Sequence, residues 1–190
     1  MSDWYWVRHG PTHAKAFAGW RDIPADLSDT DTIARVQAML PDRGVCVSSD
    51  LIWAVDTASA IAPHHTRLPH EFGLREFDFG AWDGRHWSDV ASTDPDLSRS
   101  YWETPGDVAA PDGESWNQAS ARITAVVDRL ANTHSTVIAV AHFGAILTQV
   151  QRALGATAYD TLAHKIDNFS VTHLRRINGV WQAEFINQIL

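Results

Sequence analysis

Residues Thr136–Ala141 read TVIAVA, a continuous apolar run that lacks the polar alternation of a half-exposed strand. A strand of this kind is covered on both faces, as in a parallel sheet that lies between helices. Trp4–Val7 is a second apolar, β-prone run. Each run stops abruptly at polar and glycine residues, Arg8-His9-Gly10 in one case and His142-Phe143-Gly144 in the other. We therefore predict two buried strands that end in histidines.

Segments with helical periodicity lie between the predicted strands. One helix is predicted over about 114–132, with either Ser115 or Asp112 as its cap. A second helix is predicted to begin at Ser28, which forms a capping-box pattern with Asp31. Residues 170–187 predict a hairpin with a two-residue turn. Strands that alternate with helices predict a three-layer α/β/α sandwich with a mostly parallel central sheet.

Length and charge limit the possible classes of protein. The 190 residues predict a single domain over 1–190, and the stretch at about 92–113, rich in Asp, Ser and Pro, predicts a lid-like insertion. The formal net charge of −8 disfavours nucleic acid and anionic membranes as partners. No apolar stretch reaches membrane-spanning length and no signal-peptide pattern is visible, so we expect a cytoplasmic protein.

The histidines that follow the two buried strands are the first candidates for chemistry. Ligands of such sheets bind beyond the carboxyl ends of the strands, and His9 and His142 both lie there. Arg8 adds a cationic fork suited to a cluster of anionic oxygens. The alternative is that both histidines are ordinary polar residues at strand ends that face solvent. The local pattern leaves both interpretations open.

Several motifs resemble one known family. Arg8-His9-Gly10 followed by Thr12 resembles the R-H-G-[E]-[ST] signature of the histidine phosphatase superfamily, which has the phosphoglycerate mutase-like fold. The similarity extends over nearly the whole chain. Further segments resemble the family in its order: Phe17-Ala18-Gly19-Trp20, Ser48-Ser49-Asp50-Leu51 with Thr57-Ala58, Leu74-Arg75-Glu76 with Phe79-Gly80, Gly113-Glu114-Ser115, and Ala141-His142.

The resemblance implies a phosphatase that hydrolyses a small phosphorylated metabolite without a metal or another cofactor. His9 matches the nucleophile that becomes a phosphohistidine, and Arg8 and His142 match two of the cations that stabilise the phosphoryl oxygens. Glu76 matches the acid that protonates the leaving alkoxide and then deprotonates the attacking water. Thr12 is implied as a secondary contact to the oxygens.

One position departs from the family pattern. Trp53 stands where the family has its second phosphate-binding arginine. Three interpretations stay open. Arg21 or Arg75 fills the gap, with Arg21 in the loop after Gly19, whose backbone is implied to contact phosphate. Alternatively, the enzyme is slow or has an aromatic wall in an altered substrate site. In the third interpretation, the domain has lost catalysis and binds only a phosphorylated ligand or a partner.

The predicted lid and the tryptophans refine these expectations. Mutases of the family carry an arginine pair in their lid, whereas this segment offers only Arg99, so hydrolysis is favoured over a mutase reaction. Trp20 and Trp53 are the tryptophans expected to line the site. An exposed tryptophan patch would indicate a homodimer, and the sequence leaves the oligomeric state open.

Overall fold

A six-stranded sheet organises the chain in a computed structural model that describes residues 1–190. The strands are β1 (Ser2–Arg8), β2 (Val45–Ser48), β3 (Thr66–Arg67), β4 (Thr136–Ala141), β5 (Val171–Ile177) and β6 (Val180–Gln188). The helices are α1 (Thr30–Met39), α2 (Ile52–Ile61), α3 (Trp87–Thr93), α4 (Pro95–Glu103), α5 (Trp116–Ala131), α6 (Phe143–Leu154) and α7 (Ala158–Thr161). Two short 3₁₀ turns cover Phe72–Leu74 and Gly80–Trp82.

The strand order is β3-β2-β4-β1-β5-β6. The first four strands pair in parallel, and β5 and β6 form an antiparallel hairpin at one edge. The predicted mostly parallel sheet is thereby confirmed. In the pairing of β1 with β4, Arg8 lies opposite Ala141, so both strands end at the same level of the sheet. The residues that follow them are therefore neighbours.

Alternate residues of β4 pack into separate hydrophobic cores on the two faces of the sheet. Val137 and Ala139 join the core formed with α5 and α6, whereas Ile138 and Val140 join the core formed with α1 and α2. All four side chains are fully buried. Helices therefore cover both faces, which confirms the predicted three-layer sandwich.

The structure confirms one predicted helix start and corrects another. Ser115 caps α5 in a capping box with Gln118, as its sequence position indicates. The predicted capping box at Ser28 is wrong, because the side chain of Asp29 accepts the hydrogen bond from the Thr32 amide. The Ser28 amide instead donates to the Asp26 carboxylate, in a turn that precedes the helix. The longest helix, α5, has 16 residues, and no helix is long and apolar enough to cross a bilayer.

The hairpin and the segment predicted as an insertion have clear local structure. Asn178 and Gly179 both have positive φ, 51° and 86°, which suits a tight turn between two twisted strands. Residues 92–113 contain α4, whose Tyr101 is buried edge-on against Trp82. This segment thus packs beside the 3₁₀ turn at Gly80–Trp82, and its action as a lid stays a prediction.

Replacing Ile138 with alanine tests the burial of β4 on both faces. We expect Ile138→Ala to lower the free energy of unfolding by about 2–5 kcal/mol, because it opens a cavity under α1 and α2. Urea denaturation measures the change. Ile189→Ala is the matched control, since Ile189 is 67% exposed, and it should change the value by less than about 0.5 kcal/mol. Equal effects of the two substitutions would contradict the arrangement.

Candidate active site

The two strand-end histidines lie side by side at the carboxyl edge of the sheet. The ring centroids of His9 and His142 are 5.1 Å apart, with an angle of 51° between the ring planes. His9 is 4% exposed and His142 is fully buried. The alternative in which both residues face solvent is therefore wrong, because each ring is enclosed by the strands, the loops and the start of α6.

His9 is held in one tautomer with a free ring nitrogen. Its Nδ1 lies 2.7 Å from the carbonyl oxygen of Gly10, and because a carbonyl can only accept, Nδ1 carries the proton. Nε2 therefore keeps its lone pair. Burial lowers the pKa of His9 to about 3, the Arg8 charge adds to this, and the hydrogen bond to Gly10 opposes it. A neutral imidazole with a free nitrogen is a competent nucleophile.

The backbone around His9 is fixed by two further hydrogen bonds. The side-chain amide of Asn168 donates to the His9 carbonyl oxygen at 2.8 Å, and the Gly10 amide donates to the Thr57 hydroxyl at 3.0 Å. A Cβ on Gly10 would lie 2.8 Å from the Phe169 ring and 2.9 Å from the carbonyl oxygen of Asp26. Only glycine fits at this position, so the motif around His9 is set by packing as well as by chemistry.

Glu76 caps the N-terminus of α6 from a buried position. Its Oε2 accepts the Gly144 amide at 3.0 Å, while its Oε1 accepts the amides of Ala145 at 3.1 Å and Phe77 at 3.0 Å. Burial raises the pKa of Glu76, and the backbone hydrogen bonds partly oppose this increase. A Cβ on Gly144 would lie 2.6 Å from Oε1, so the close approach of the carboxylate requires glycine there.

His142 is a neutral hydrogen-bonding group in this structure. Its Nε2 and the hydroxyl of Ser49 share a hydrogen bond of 2.7 Å, and its buried Nδ1 has no partner. Burial holds the pKa of His142 well below its ordinary value, and the charge of Arg8 lowers it further. The resemblance implies a cation at His142, whereas its surroundings favour the neutral imidazole at neutral pH.

Arg8 provides a cation without a carboxylate partner. Its Nη1 donates to the carbonyl oxygen of Ile166 at 2.7 Å, whereas its buried Nε has no partner. The guanidinium carbon lies 5.5 Å from the centroid of the Phe143 ring. Burial lowers the pKa of Arg8, which nevertheless stays protonated because an arginine titrates so far above neutral pH. Its positive charge therefore remains available to an anion.

Trp53 forms a wall against His9. Its ring centroid lies 4.5 Å from that of His9 at an angle of 29°, and 4.9 Å from that of His142. Trp53 is buried on α2, and its indole Nε1 has no hydrogen-bond partner. An aromatic surface thus occupies the position where the family pattern has an arginine.

Neither arginine that was expected to compensate lines the cavity above His9. Arg75 makes two hydrogen bonds to Asp50, at 2.6 and 2.8 Å, and this ion pair holds it elsewhere. Arg21 is exposed and lies against Gly84, where an added Cβ would be 3.0 Å from its Nη1. The structure therefore does not bring either side chain to His9.

The backbone at Gly19 is also engaged elsewhere. The carboxylate of Asp83 accepts the amides of Gly19 at 3.1 Å, Trp20 at 3.0 Å and Arg21 at 3.2 Å. These bonds turn the loop toward the segment after the Gly80–Trp82 turn. The expectation that Gly19 contacts phosphate is not supported, because its amide already has a carboxylate partner. Trp20 likewise does not line the cavity, since its indole donates to the Glu76 carbonyl oxygen at 2.8 Å.

A cavity of about 350 Å³ opens above His9. Arg8, Thr12, Trp53 and Glu76 line it together with His9, as the sequence predicts for these positions. His142 lies behind His9 and is not part of the lining. The structure thus unites most of the predicted site residues around one concave surface.

Lys15 is the lining residue that sequence reasoning missed. It is exposed, makes no ion pair, and is the second cation in the cavity lining after Arg8. The signal that could have identified Lys15 is its position in the loop that follows His9, in a chain with only two lysines. Several aromatic residues of the wall, including Trp87 and Trp102, were also missed because they come from distant segments.

Comparisons with known proteins identify the family of this chain. The chain matches the family model described as histidine phosphatase superfamily (branch 1) over residues 4–189. A bifunctional protein of Mycobacterium tuberculosis is 30% identical over 141 residues, which are 73% of this chain and 36% of that protein. The chain thus spans about a third of the length of these mycobacterial relatives.

Two further comparisons cover almost the whole chain. The probable phosphoglycerate mutase GpmB of Escherichia coli is 25% identical over 187 residues, 94% of this chain and 87% of that protein. The solved structure of a mycobacterial glucosyl-3-phosphoglycerate phosphatase superposes with a TM-score of 0.84 at 22% identity, covering all of both chains. The structural likeness shows the shared fold.

The low pKa of His9 predicts a pH dependence of stability. In the unfolded chain the pKa of a histidine is about 6.5. Between pH 6.5 and pH 3, the unfolded state therefore binds more protons than the folded state. Stability is therefore lost as pH falls below about 6.5. Between pH 7 and pH 5, we expect the free energy of unfolding of His9→Gln to fall by roughly 2 kcal/mol less than that of the wild type. Urea denaturation at the two pH values measures both changes. Equal losses would contradict a neutral, buried His9.

Proposed function

We propose that this chain, which belongs to branch 1 of the histidine phosphatase superfamily, hydrolyses a small phosphomonoester through a phosphohistidine at His9. The observation that carries the proposal is the hydrogen bond from Nδ1 of His9 to the Gly10 carbonyl. It leaves the lone pair of Nε2 at the floor of a cavity next to a cationic Arg8. Nucleophile and positive charge are thus in place before a substrate binds.

In the first step, Nε2 of His9 attacks phosphorus, the P–N bond forms, and the bond to the ester oxygen breaks. The leaving oxygen takes the electron pair and receives a proton from the carboxyl of Glu76. The raised pKa of Glu76 favours its protonated form, and Oε2 has room for a proton because it accepts only one amide. In this way the alcohol leaves as a neutral molecule.

In the second step, water attacks the phosphorus of the phosphohistidine. The carboxylate of Glu76, left by the first step, accepts the proton of that water. The P–N bond breaks, its electron pair returns to Nε2, and inorganic phosphate departs with Glu76 protonated again. Each turnover consumes one water and restores both residues to their starting states.

Charge on the phosphoryl oxygens is balanced from two sides of the cavity. Arg8 supplies a guanidinium from the cavity lining, and its Nε has no partner within the protein. His142 is neutral and buried outside the cavity lining, so we assign it no direct contact with the phosphoryl group. Lys15 contributes the further positive charge in place of the arginine that Trp53 replaces.

Hydrolysis suits this cavity better than a mutase reaction. A mutase must hold a second anionic group of its substrate while it moves the phosphoryl group. Arg8 and Lys15 are the only cations that line the cavity, and we assign both to the transferred phosphoryl group. Arg99 lines a separate cavity formed by α3 and α4.

A non-catalytic domain that binds a phosphorylated ligand is the second candidate. The observation that favours it is Trp53, which replaces a guanidinium with an indole directly against His9. Loss of one hydrogen-bond donor to a developing oxyanion costs about 2.7–4 kcal/mol. Turnover therefore decides between the two candidates, since both predict binding of phosphate.

Removing His9 tests the catalytic proposal. We expect His9→Ala to abolish hydrolysis of p-nitrophenyl phosphate, because it removes the atom that receives the phosphoryl group. The wild type should also acquire an acid-labile phosphate label, read after rapid quenching, which His9→Ala lacks. His64→Ala is the matched control, since His64 is exposed and outside this cavity. The proposal would be contradicted if His9→Ala still hydrolysed p-nitrophenyl phosphate, or if the wild type did not hydrolyse it.

The two lysines of the chain test whether Lys15 supplies the second cation. We expect Lys15→Met to lower kcat/KM for p-nitrophenyl phosphate by tenfold or more, about 1.4 kcal/mol, because a positive charge is lost beside the phosphoryl group. Lys165→Met removes the only other lysine, which lies outside the cavity, and should leave the rate near that of the wild type. Steady-state kinetics at low salt measure both variants. A similar rate for Lys15→Met and Lys165→Met would show that Lys15 has no such role.

A further inference from the structure

The wall of the cavity above His9 is built from aromatic side chains of separate segments. They come from the loop after β1, from α2, from the turn before Trp82, from α3 and α4, and from the start of α6. These residues are Phe17, Trp53, Phe79, Trp87, Trp102 and Phe143. Such a collection of rings around a reactive centre exceeds what the phosphoryl chemistry requires.

The same wall has few groups that could recognise a polar substrate. Apart from the reactive floor of Arg8, His9 and Glu76, its only polar lining residues are Thr12 and Lys15. We assign both to phosphoryl oxygens. A sugar or nucleoside would bring hydroxyls or amides into the cavity without partners, and each such group costs free energy when it loses water. The cavity is therefore poorly suited to polyhydroxylated alcohols.

Two tryptophans at the cavity are exposed in spite of their size. Trp87 on α3 is 65% exposed and Trp102 on α4 is 37% exposed. Large apolar side chains that remain in water beside a concave site commonly mark the place where a ligand packs. The two residues also line a neighbouring cavity formed by α3 and α4.

Other aromatic rings hold part of this surface in place. Trp102 lies nearly parallel to Phe17, with 8° between the rings and 6.1 Å between their centroids. The ring of Tyr101 meets Trp102 edge-on at 4.9 Å, and Phe79 lies 5.0 Å from Phe17. Flat ligands gain most from rings that are already oriented, because few rotamers must be fixed on binding.

From these observations we infer that the alcohol of the substrate carries an aromatic ring, which packs against Trp87 and Trp102 while the phosphate meets His9. The inference rests on the proposed function and names its substrate class. A volume of about 350 Å³ lies near the lower end of the range for small-molecule sites, about 300–1,000 Å³. The bonds that form and break are those of the two hydrolytic steps above.

A pair of substrates with similar leaving groups tests this class. Benzyl phosphate and glycerol 1-phosphate both release a primary alcohol, so a difference between them reports the organic group rather than the ease of bond cleavage. We expect kcat/KM to be at least tenfold higher for benzyl phosphate. Equal values, or a preference for glycerol 1-phosphate, would overturn the inference and leave the proposed function intact.

Variants of the exposed tryptophans locate the preference in the wall. Trp87→Ala and Trp102→Ala should each reduce the ratio of the two kcat/KM values by threefold or more, and Trp102→Phe should restore much of it. Tyr159→Ala is the matched control, because Tyr159 is an exposed aromatic residue on α7 outside the cavity. A purely structural defect would lower kcat/KM for both substrates and leave their ratio unchanged. An unchanged ratio in both tryptophan variants would therefore contradict the assignment.

Binding to the His9→Ala variant separates the inference from the chemistry. Titration calorimetry should give a dissociation constant at least tenfold lower for benzyl phosphate than for glycerol 1-phosphate. If the wild type hydrolyses neither compound but His9→Ala keeps this preference, the proposed function fails and the ligand class stands. Equal affinities would overturn the ligand class whether or not the wild type is active.

Discussion

The parallel pairing of β1 with β4 is the constraint on which the site depends. Arg8 and Ala141 are opposite each other, so the chain leaves both strands at one level and places His9 beside His142. The pairing is stable because the strands bury apolar side chains on both faces of the sheet. A slip in this register would carry one histidine away from the other and would also turn its strand's side chains to the opposite face.

Burial and hydrogen bonding then set the charge of each group around His9. Removal from water favours neutral imidazoles and lowers the pKa values of His9 and His142, while it raises the pKa of Glu76. Arg8 alone keeps its charge in the same surroundings. The segment that carries Glu76 is held by Arg122, which donates to the carbonyl oxygens of Gly73, Arg75 and Glu76 and pairs with Glu114. A rigid cation outside the cavity thus positions the buried carboxyl.

Trp53 changes how such a site can be completed. The indole against His9 gives this ring an apolar neighbour, and the second cation in the cavity lining is Lys15. The lysine ammonium is a point charge without the rigid fork of a guanidinium, so it supplies charge with less directional control. The indole also continues the aromatic wall formed with Trp87 and Trp102. The tryptophan at position 53 and the aromatic wall of the cavity are therefore parts of one arrangement.

Much of the fold could be predicted from local sequence patterns, whereas the set of cations around His9 could not. The strand Thr136–Ala141 and the helix cap at Ser115 both depend on residues close together in the sequence. They could therefore be predicted. The cap at Ser28 was misplaced by one residue because Asp26 competes for its amide. His9 and Glu76 could be singled out because they lie in motifs that resemble a known family, and both line the cavity.

The sequence by itself determined the layered α/β architecture, the two strand-end histidines and the unusual tryptophan at position 53. Only the tertiary structure decided which cations reach His9. Arg75 is held by Asp50, and the loop containing Arg21 is held by Asp83, both through residues far apart in the chain. The aromatic wall likewise exists only after α3, α4 and the loop after β1 meet. Competition among distant partners for the same donors and the same space cannot be read from any local pattern.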